Sequence, residues 1–351
     1  MEQAAAPRQR VTYISWAQSC SRSDHTAREL GGQSHMVYAA RFGSRPTTIL
    51  FKYAVQWIRT ARILRREQPD AVFVMTPPLI AALPAFWYAW RYKKQVVLDA
   101  HTAAFLHPRW RRWQPVQRIL CRRAATTLVH NDYLADKVRA AGGNVTLVPD
   151  VPVIFPDRNS FPRPAGFTVA VVCSFNSDEP IAEIFGAAAA LPDVTFFVTG
   201  DPRHLDPALR ASLPGNVHLT GFLSTADYGG LITDADAVLT LTTRDHTMLR
   251  GAYEAVYQGT PVIVSDWALL REAFPMGAVH VDNTAASIVR AVWRMQAEPD
   301  RFRAEAVRLQ QIRRSRWDST RQAIIDRVFT RGYRREPVAT TTPAVTSRPA
   351  R

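Results

Sequence analysis

Short apolar runs alternate with longer stretches of helical period along most of the chain. In the first half the runs are VTYIS (11–15), SHMVY (34–38), AVFVM (71–75), QVVLDA (95–100), TTLVH (126–130) and TLVPD (146–150). Between them lie segments such as FKYAVQWIRTARILRRE, where Phe51, Val55, Ile58, Ala61 and Leu64 fall on one helical face. Strand and helix in turn predict an α/β fold with a parallel sheet. After the proline-punctuated VPVIFPDRNSFPRPAG the alternation restarts with FTVAVVC (167–173), VTFFVTG (194–200), VHLTG (217–221), AVLTLTT (237–243), PVIVSD (261–266) and AVHVD (278–282). Two doubly wound, Rossmann-like domains are expected, with a small-molecule site in the cleft where strand C-termini face each other. The expected boundaries are a disordered lead at 1–10, a first domain at 11–151, a linker at 152–166 and a second domain at 167–299. A long Arg-rich helix follows at 300–334, packing back across the domains, and then a disordered tail at 335–351.

Composition narrows the function classes. The 351 residues suit two domains, and 47% hydrophobic with 21% charged residues exclude wholesale disorder, collagen-like repeats and coiled coil. Lys+Arg 44 against Asp+Glu 30 gives a net charge of +14. The cations are nearly all arginine, which a GC-rich coding sequence explains more simply than function does. The sign favours anionic partners: nucleotide phosphates, nucleic acid or an acidic lipid face. Cys20, Cys121 and Cys173 lack Cys-x-x-Cys spacing and read as reduced thiols of a cytoplasmic protein, with no metal site. Residues 1–10 have no apolar core, so no signal peptide is read there. Residues 71–90 are uncharged and long enough to span a bilayer, but Pro77-Pro78 divides them into a strand and an apolar helix. The stretch HPRWRRWQPVQRILCRR (107–123) interleaves arginines with Trp110 and Trp113. Beside FWYAWRYKK (86–94), it forms either a solvated basic face or a surface that rests on anionic lipid.

No G-x-G-x-x-G follows any strand and no Walker motif is present, which sets aside dinucleotide and P-loop chemistry. The most informative stretch is AVLTLTTRDHTMLRGAYEAVYQGTPVIVSD (237–266). A strand ends at Thr243, a helix is expected from near Thr247, and Gly259-Thr260-Pro261 ends it. A helix N-terminus there offers unpaired N–H groups and a positive dipole end, which suits a diphosphate. Glu254 is expected about two turns in.

At these residues the sequence resembles the nucleotide-sugar glycosyltransferases of the GT-B fold, the family 4-like group with its E-x7-E signature. Glu254-Ala255 and Gly259-Thr260-Pro261-Val262-Ile263 match the end of that signature, and NVHLTGFLSTADYGGLITDADAVLTL resembles the stretch before it. The resemblance runs in order and spacing over about residues 11–330 and is specific over 217–266. It implies an N-terminal acceptor domain and a C-terminal domain for the nucleotide sugar, with an NDP-sugar donor as substrate and no bound cofactor or metal. It assigns Glu254 to the nucleotide ribose and the amides of Thr247, Met248, Leu249 and Arg250 to the pyrophosphate. Two positions depart from the pattern. His246 stands where the family has its first glutamate, and SFNSDEP (174–180) lacks the family's Arg and Lys, so the cationic role moves to Arg244, Arg250 or Arg22, beside Ser174. His101 in LDAHTAAF (98–105) lies where the family carries a histidine that reaches the donor sugar, with Asp99 as its orienting or acid-base partner. Asp234-Ala235-Asp236 reads as structural.

The resemblance implies transfer of a sugar to a polysaccharide, glycolipid or metabolite, with retention favoured over inversion, and peripheral contact with an anionic membrane as a further partner. A nucleotide-sugar epimerase or phosphorylase on the same fold, and a non-catalytic basic nucleic-acid or membrane binder, are the competing readings.

Overall fold

A computed structural model describes residues 9–40, 48–245 and 247–330. Each of the twelve apolar runs forms a strand. β1 (Val11–Ser15), β2 (Gln33–Met36), β3 (Ala71–Thr76), β4 (Gln95–Ala100), β5 (Thr126–Val129) and β6 (Val145–Leu147) make one sheet in the order β2-β1-β3-β4-β5-β6. The second sheet holds β7 (Phe167–Val171), β8 (Val194–Thr199), β9 (Val217–Gly221), β10 (Ala237–Thr240), β11 (Val262–Ser265) and β12 (Ala278–Val281), in the order β12-β11-β10-β7-β8-β9. All the pairings are parallel. The strand order reverses between β1 and β3 and again between β7 and β10, and such points open a crevice at the strand C-termini.

The described residues divide into two compact units, those up to 151 with 317–330, and those from 152 to 316. In the first unit the helices are α1 (Ser21–Glu29), α2 (Ile49–Glu67), α3 (Ala82–Tyr92), α4 (Thr102–Leu106), α5 (Gln114–Arg123) and α6 (Asp132–Ala140). Alternate residues of a strand face opposite sides. Val72, Val74 and Leu98 therefore pack with Leu64 of α2, Ala85 and Tyr88 of α3, Leu120 of α5 and Leu134 of α6. Tyr13, Phe73, Val97 and Leu128 look the other way, onto Ala27 of α1 and onto Trp317, Ile324 and Val328. Pro77-Pro78 separates β3 from α3 as the sequence expects, and among the described residues no helix is long and apolar enough to cross a membrane.

The second unit carries α7 (Ile181–Ala189), α8 (Pro207–Ala211), α9 (Thr225–Asp234), α10 (Arg250–Tyr257), α11 (Ala268–Ala273), α12 (Ala285–Ala297) and, as far as Arg316, the long α13 (Pro299–Phe329). α7 and α12 cover one face of its sheet, α9, α10 and α11 the other. The expected linker packs into this unit: Val153 and Phe155 are buried, and the Phe155 ring meets Tyr228 edge-on at 5.9 Å. Asp234 and Asp236 hold the end of that segment, accepting from the backbone N–H of Phe161 (2.9 Å) and Thr168 (2.8 Å).

Much of the arginine of α13 serves the fold. Arg303 donates to the carbonyls of Gly259 (3.2 Å) and Ala235 (3.1 Å), and Arg313 lies over the rings of Tyr253 and Phe274. From Trp317 onward the helix belongs to the first unit, where the Trp317 indole donates to Glu29 (2.8 Å) and Arg321 to the Glu29 carbonyl (2.9 Å). The lead expected at 1–10 and the tail at 335–351 lie outside the described residues, apart from residues 9 and 10.

Candidate functional site

In the second unit the sequence-predicted residues gather on the loops after the neighbouring strands β7 and β10. The helix after β10 starts later than expected. α10 begins at Arg250, with Leu249 as an N-cap whose side chain makes no capping bond. Thr247, Met248 and Leu249 therefore precede the helix, and Glu254 sits one turn in, not two. Gly251 lets this start approach β7 closely, since a Cβ there would lie 2.6 Å from Val172. His246 lies outside the described residues.

Glu254 is 5% exposed, and both its oxygens have donors: the Tyr228 hydroxyl to Oε2 at 2.6 Å and Arg250 Nε to Oε1 at 2.6 Å. Burial, then the Glu254 charge, push the Tyr228 hydroxyl well above its ordinary pKa, so it stays a donor. Arg250 is half exposed on its own side chain, so its guanidinium reaches solvent while Nε braces the carboxylate.

Asp178 ties the loops after β7 and β10 together. Its carboxylate accepts from Thr242 Oγ1 (3.0 Å), its carbonyl from the Thr243 N–H (2.7 Å), and Arg244 pairs with it at 3.7 Å. Ser174 is met by an anion already in place: its N–H donates to both oxygens of Glu179 (3.1 and 3.0 Å), and the N–H of Asn176 adds a third bond at 2.8 Å. Phe175, between them, takes a left-handed φ of 57°, which turns successive N–H groups toward one point. Burial, with the Asp178 charge, raises the Glu179 carboxyl, against the backbone N–H bonds that lower it. Beside this nest an open cavity of about 400 Å³ is lined by Phe175, Glu179, Glu183, Leu205 and Asp206.

In the first unit the predicted residues Asp99, His101 and Arg22 come together at the C-terminal ends of β1 and β4. Asp99, 1% exposed, accepts from the Tyr13 hydroxyl and from Arg22 Nε at 3.2 Å. Arg22 also donates to the Val148 carbonyl (3.1 Å). Burial alone would raise the Asp99 carboxyl, but the Arg22 guanidinium, the His101 ring and the Tyr13 hydroxyl outweigh it and hold the group well below the usual carboxylate range. His101 Nε2 is 3.7 Å from Asp99 Oδ2, an ion-pair distance too long for a hydrogen bond, and about a third of the side chain reaches solvent.

Three groups here escape a sequence reading. Tyr13 reads as a core residue of VTYIS, and Glu179 as a loop acid. His130 closes β5 as His101 follows β4, the two strands being paired with Asp99 opposite Leu128. Its Nε2 meets Thr102 Oγ1 at 3.1 Å, and burial, then the charges of Arg22 and His101, pull it down to about 4, so the ring is neutral at pH 7.

Residues 180–326 match the sequence model of a family described as glycosyl transferase-like. No curated protein sequence matches the chain. Among solved structures it is similar to sucrose-phosphate synthase from Thermosynechococcus elongatus, with 12% identity, a TM-score of 0.63, and 90% of this chain and 97% of that chain covered. It is likewise similar to Anabaena HepE in complex with UDP and glucose, with 15% identity, a TM-score of 0.61, and 91% and 98% covered. A putative UDP-N-acetylglucosamine 2-epimerase from Listeria monocytogenes shares the fold at 15% identity and a TM-score of 0.56, with 85% and 90% covered. The chain thus has the GT-B fold of the nucleotide-sugar glycosyltransferases, and its residues 180–326 resemble the glycosyl transferase-like family in sequence as well.

Proposed function

We propose that the protein transfers a sugar from a nucleoside diphosphate sugar to a saccharide, lipid-linked or small-molecule acceptor. Glu254 carries the reading: a carboxylate buried one turn into α10, inside the matched segment, with Tyr228 and Arg250 fixing both oxygens. An incoming ribose diol exchanges with the Arg250 contact at Oε1, and Tyr228 keeps Oε2 in place. The freed guanidinium, Arg244, and the N–H groups at the start of α10 then face the diphosphate, where they stabilise the charge that develops on the leaving group.

Asp99, His101 and Arg22 serve the sugar being transferred. The Asp99 charge lies 3.7 Å from the imidazole, and the exposed part of His101 donates to a sugar hydroxyl. Retention of configuration is favoured over inversion, for which Asp99 or His101 would supply the base. UDP in the HepE structure makes uridine the first base to try.

The test is release of free nucleoside diphosphate from UDP-glucose and its GDP, ADP and TDP counterparts, with and without pooled saccharide and lipid acceptors. Release that requires acceptor supports transfer. Conversion of the sugar without acceptor and without a glycoside product would support the epimerase alternative instead.

A further inference from the structure

We infer that the Glu179 carboxylate is a built-in plug, which occupies an anion-binding nest of the second unit until a diphosphate takes its place. The inference rests on the donor reading above and adds to it a regulation of that site. The nest is the loop after β7, where the N–H groups of Ser174 and Asn176 converge on Glu179 at 2.8 to 3.1 Å. Phe175 lies between them at φ 57°, a left-handed conformation that a bulky residue adopts only when its surroundings impose it. Gly200 is part of those surroundings, since an added Cβ there would lie 3.1 Å from the Phe175 ring. Backbone held in that shape, with successive N–H groups aimed at one point, binds oxyanions.

The loop does not need the carboxylate to keep its shape. The Glu179 N–H returns to the Asn176 carbonyl (3.0 Å), the Asp178 carbonyl accepts from the Thr243 N–H (2.7 Å), and the Asp178 carboxylate accepts from Thr242 (3.0 Å). These bonds run through the backbone and through Asp178, so the Glu179 side chain can leave while the nest stays formed. Space to receive it is at hand: the open cavity of about 400 Å³ beside the nest is lined by Glu179 itself and by His204 of the loop after β8. Burial and the Asp178 charge raise the Glu179 carboxyl in spite of the N–H bonds, so those bonds hold the ionised plug against an opposing force. The nest and the start of α10 lie on one edge. β7 and β10 are paired neighbours, and Gly251 of α10 packs against Val172, two residues before Ser174. A diphosphate carries two anionic groups and can satisfy both places, whereas the single carboxylate of Glu179 fills only one. While the plug stays in, its charge repels the incoming ligand. Apparent affinity is then lowered by the fraction of molecules in which the nest is open. Removing the plug therefore tightens diphosphate binding, the opposite sign to the loss of a residue that only builds the loop.

The experiment is titration calorimetry of the full chain with UDP, GDP, ADP and TDP, with the matching nucleosides, and with inorganic diphosphate. Glu179→Gln and Glu179→Ala go alongside, with Glu183→Gln as the control, an acid that lines the same cavity outside the nest. Both Glu179 variants are expected to bind inorganic diphosphate, and the nucleotide the wild type selects, at least about fivefold tighter, with nucleoside binding unchanged. Glu183→Gln should stay within about twofold of the wild type. Thermal melts report folding, and the glutamine variant, which keeps the shape of the side chain, carries the test if the alanine variant does not fold. Equal or weaker diphosphate binding in the Glu179 variants overturns the inference. So does an equal gain in Glu183→Gln, which would mark a general charge effect, or failure of every protein to bind inorganic diphosphate. A gain for inorganic diphosphate with no nucleotide bound keeps the plug and sinks the donor reading, and nucleotide binding without any gain does the reverse.

Discussion

The two units solve the same problem, what to place at the C-terminal edge of a parallel sheet, in opposite ways. The first buries its charges: Asp99 is sealed under Tyr13 and Arg22, and its ionisation is displaced far from that of a free carboxylate. The second buries Glu254 as well, under the Tyr228 hydroxyl, but its other donor is the half-exposed Arg250, and Glu179 is held by backbone N–H groups. Buried partners are costly to remove and so preorganise a site, whereas contacts at the edge of solvent are those a ligand can replace. The proposed function predicts from this contrast that the first unit orients and the second binds.

The largest effect expected from breaking this contrast is at Asp99. Asp99→Ala leaves the Arg22 charge without its partner and should cost about 3–5 kcal/mol in chemical denaturation. A cost below about 1 kcal/mol would mean that the network is not preorganised. Asp99 also gives a pH signature. Its folded pKa lies below the unfolded value, so its contribution is present above about pH 4 and is lost as pH falls toward the folded value.

Tyr228→Phe tests the second unit. It removes a hydroxyl donor to a carboxylate and should cost about 1.5–3 kcal/mol, with weaker nucleotide binding and an unchanged first unit. A full nucleotide response in this variant would show that Tyr228 does not position Glu254.

His130 gives a further pH test with a defined window. Its folded pKa of about 4 lies below the unfolded value of about 6.5, so the unfolded chain takes up the proton first. Stability should fall by about 1–3 kcal/mol as pH drops from about 6.5 to about 4, and His130→Gln should flatten that limb in thermal melts across pH. The smallest effect is expected at Arg244, an exposed side chain 3.7 Å from Asp178: Arg244→Ala should change stability by less than about 1 kcal/mol while weakening diphosphate binding.

The strands were legible because a doubly wound sheet writes each one as a short apolar run between helical stretches. The start of α10 was not. Thr247 has the side chain of an N-cap, but the helix begins after Leu249, whose side chain accepts nothing, and Gly251 packs where a Cβ would meet Val172. Phe51 and Ile58 lie on the helical stripe that periodicity assigns to the core, yet the sheet is covered through Gln56, Thr60 and Leu64. Buried polar positions in α2 disguise the inward face. Within the candidate site, Glu254, His101 and Asp99 were visible from their places after strands and in a motif. The Tyr13 contact to Asp99 was not, since it reaches across the intervening β3.

The most direct test of the central claim, that the second unit binds a nucleoside diphosphate through Glu254, is thermal stabilisation of the protein by UDP, GDP, ADP and TDP, with Glu254→Gln in parallel. At about a hundred times its dissociation constant one nucleotide should add roughly 2.7 kcal/mol to the wild type and little to the variant. Equal stabilisation of both proteins, or none by any nucleotide, would contradict the account.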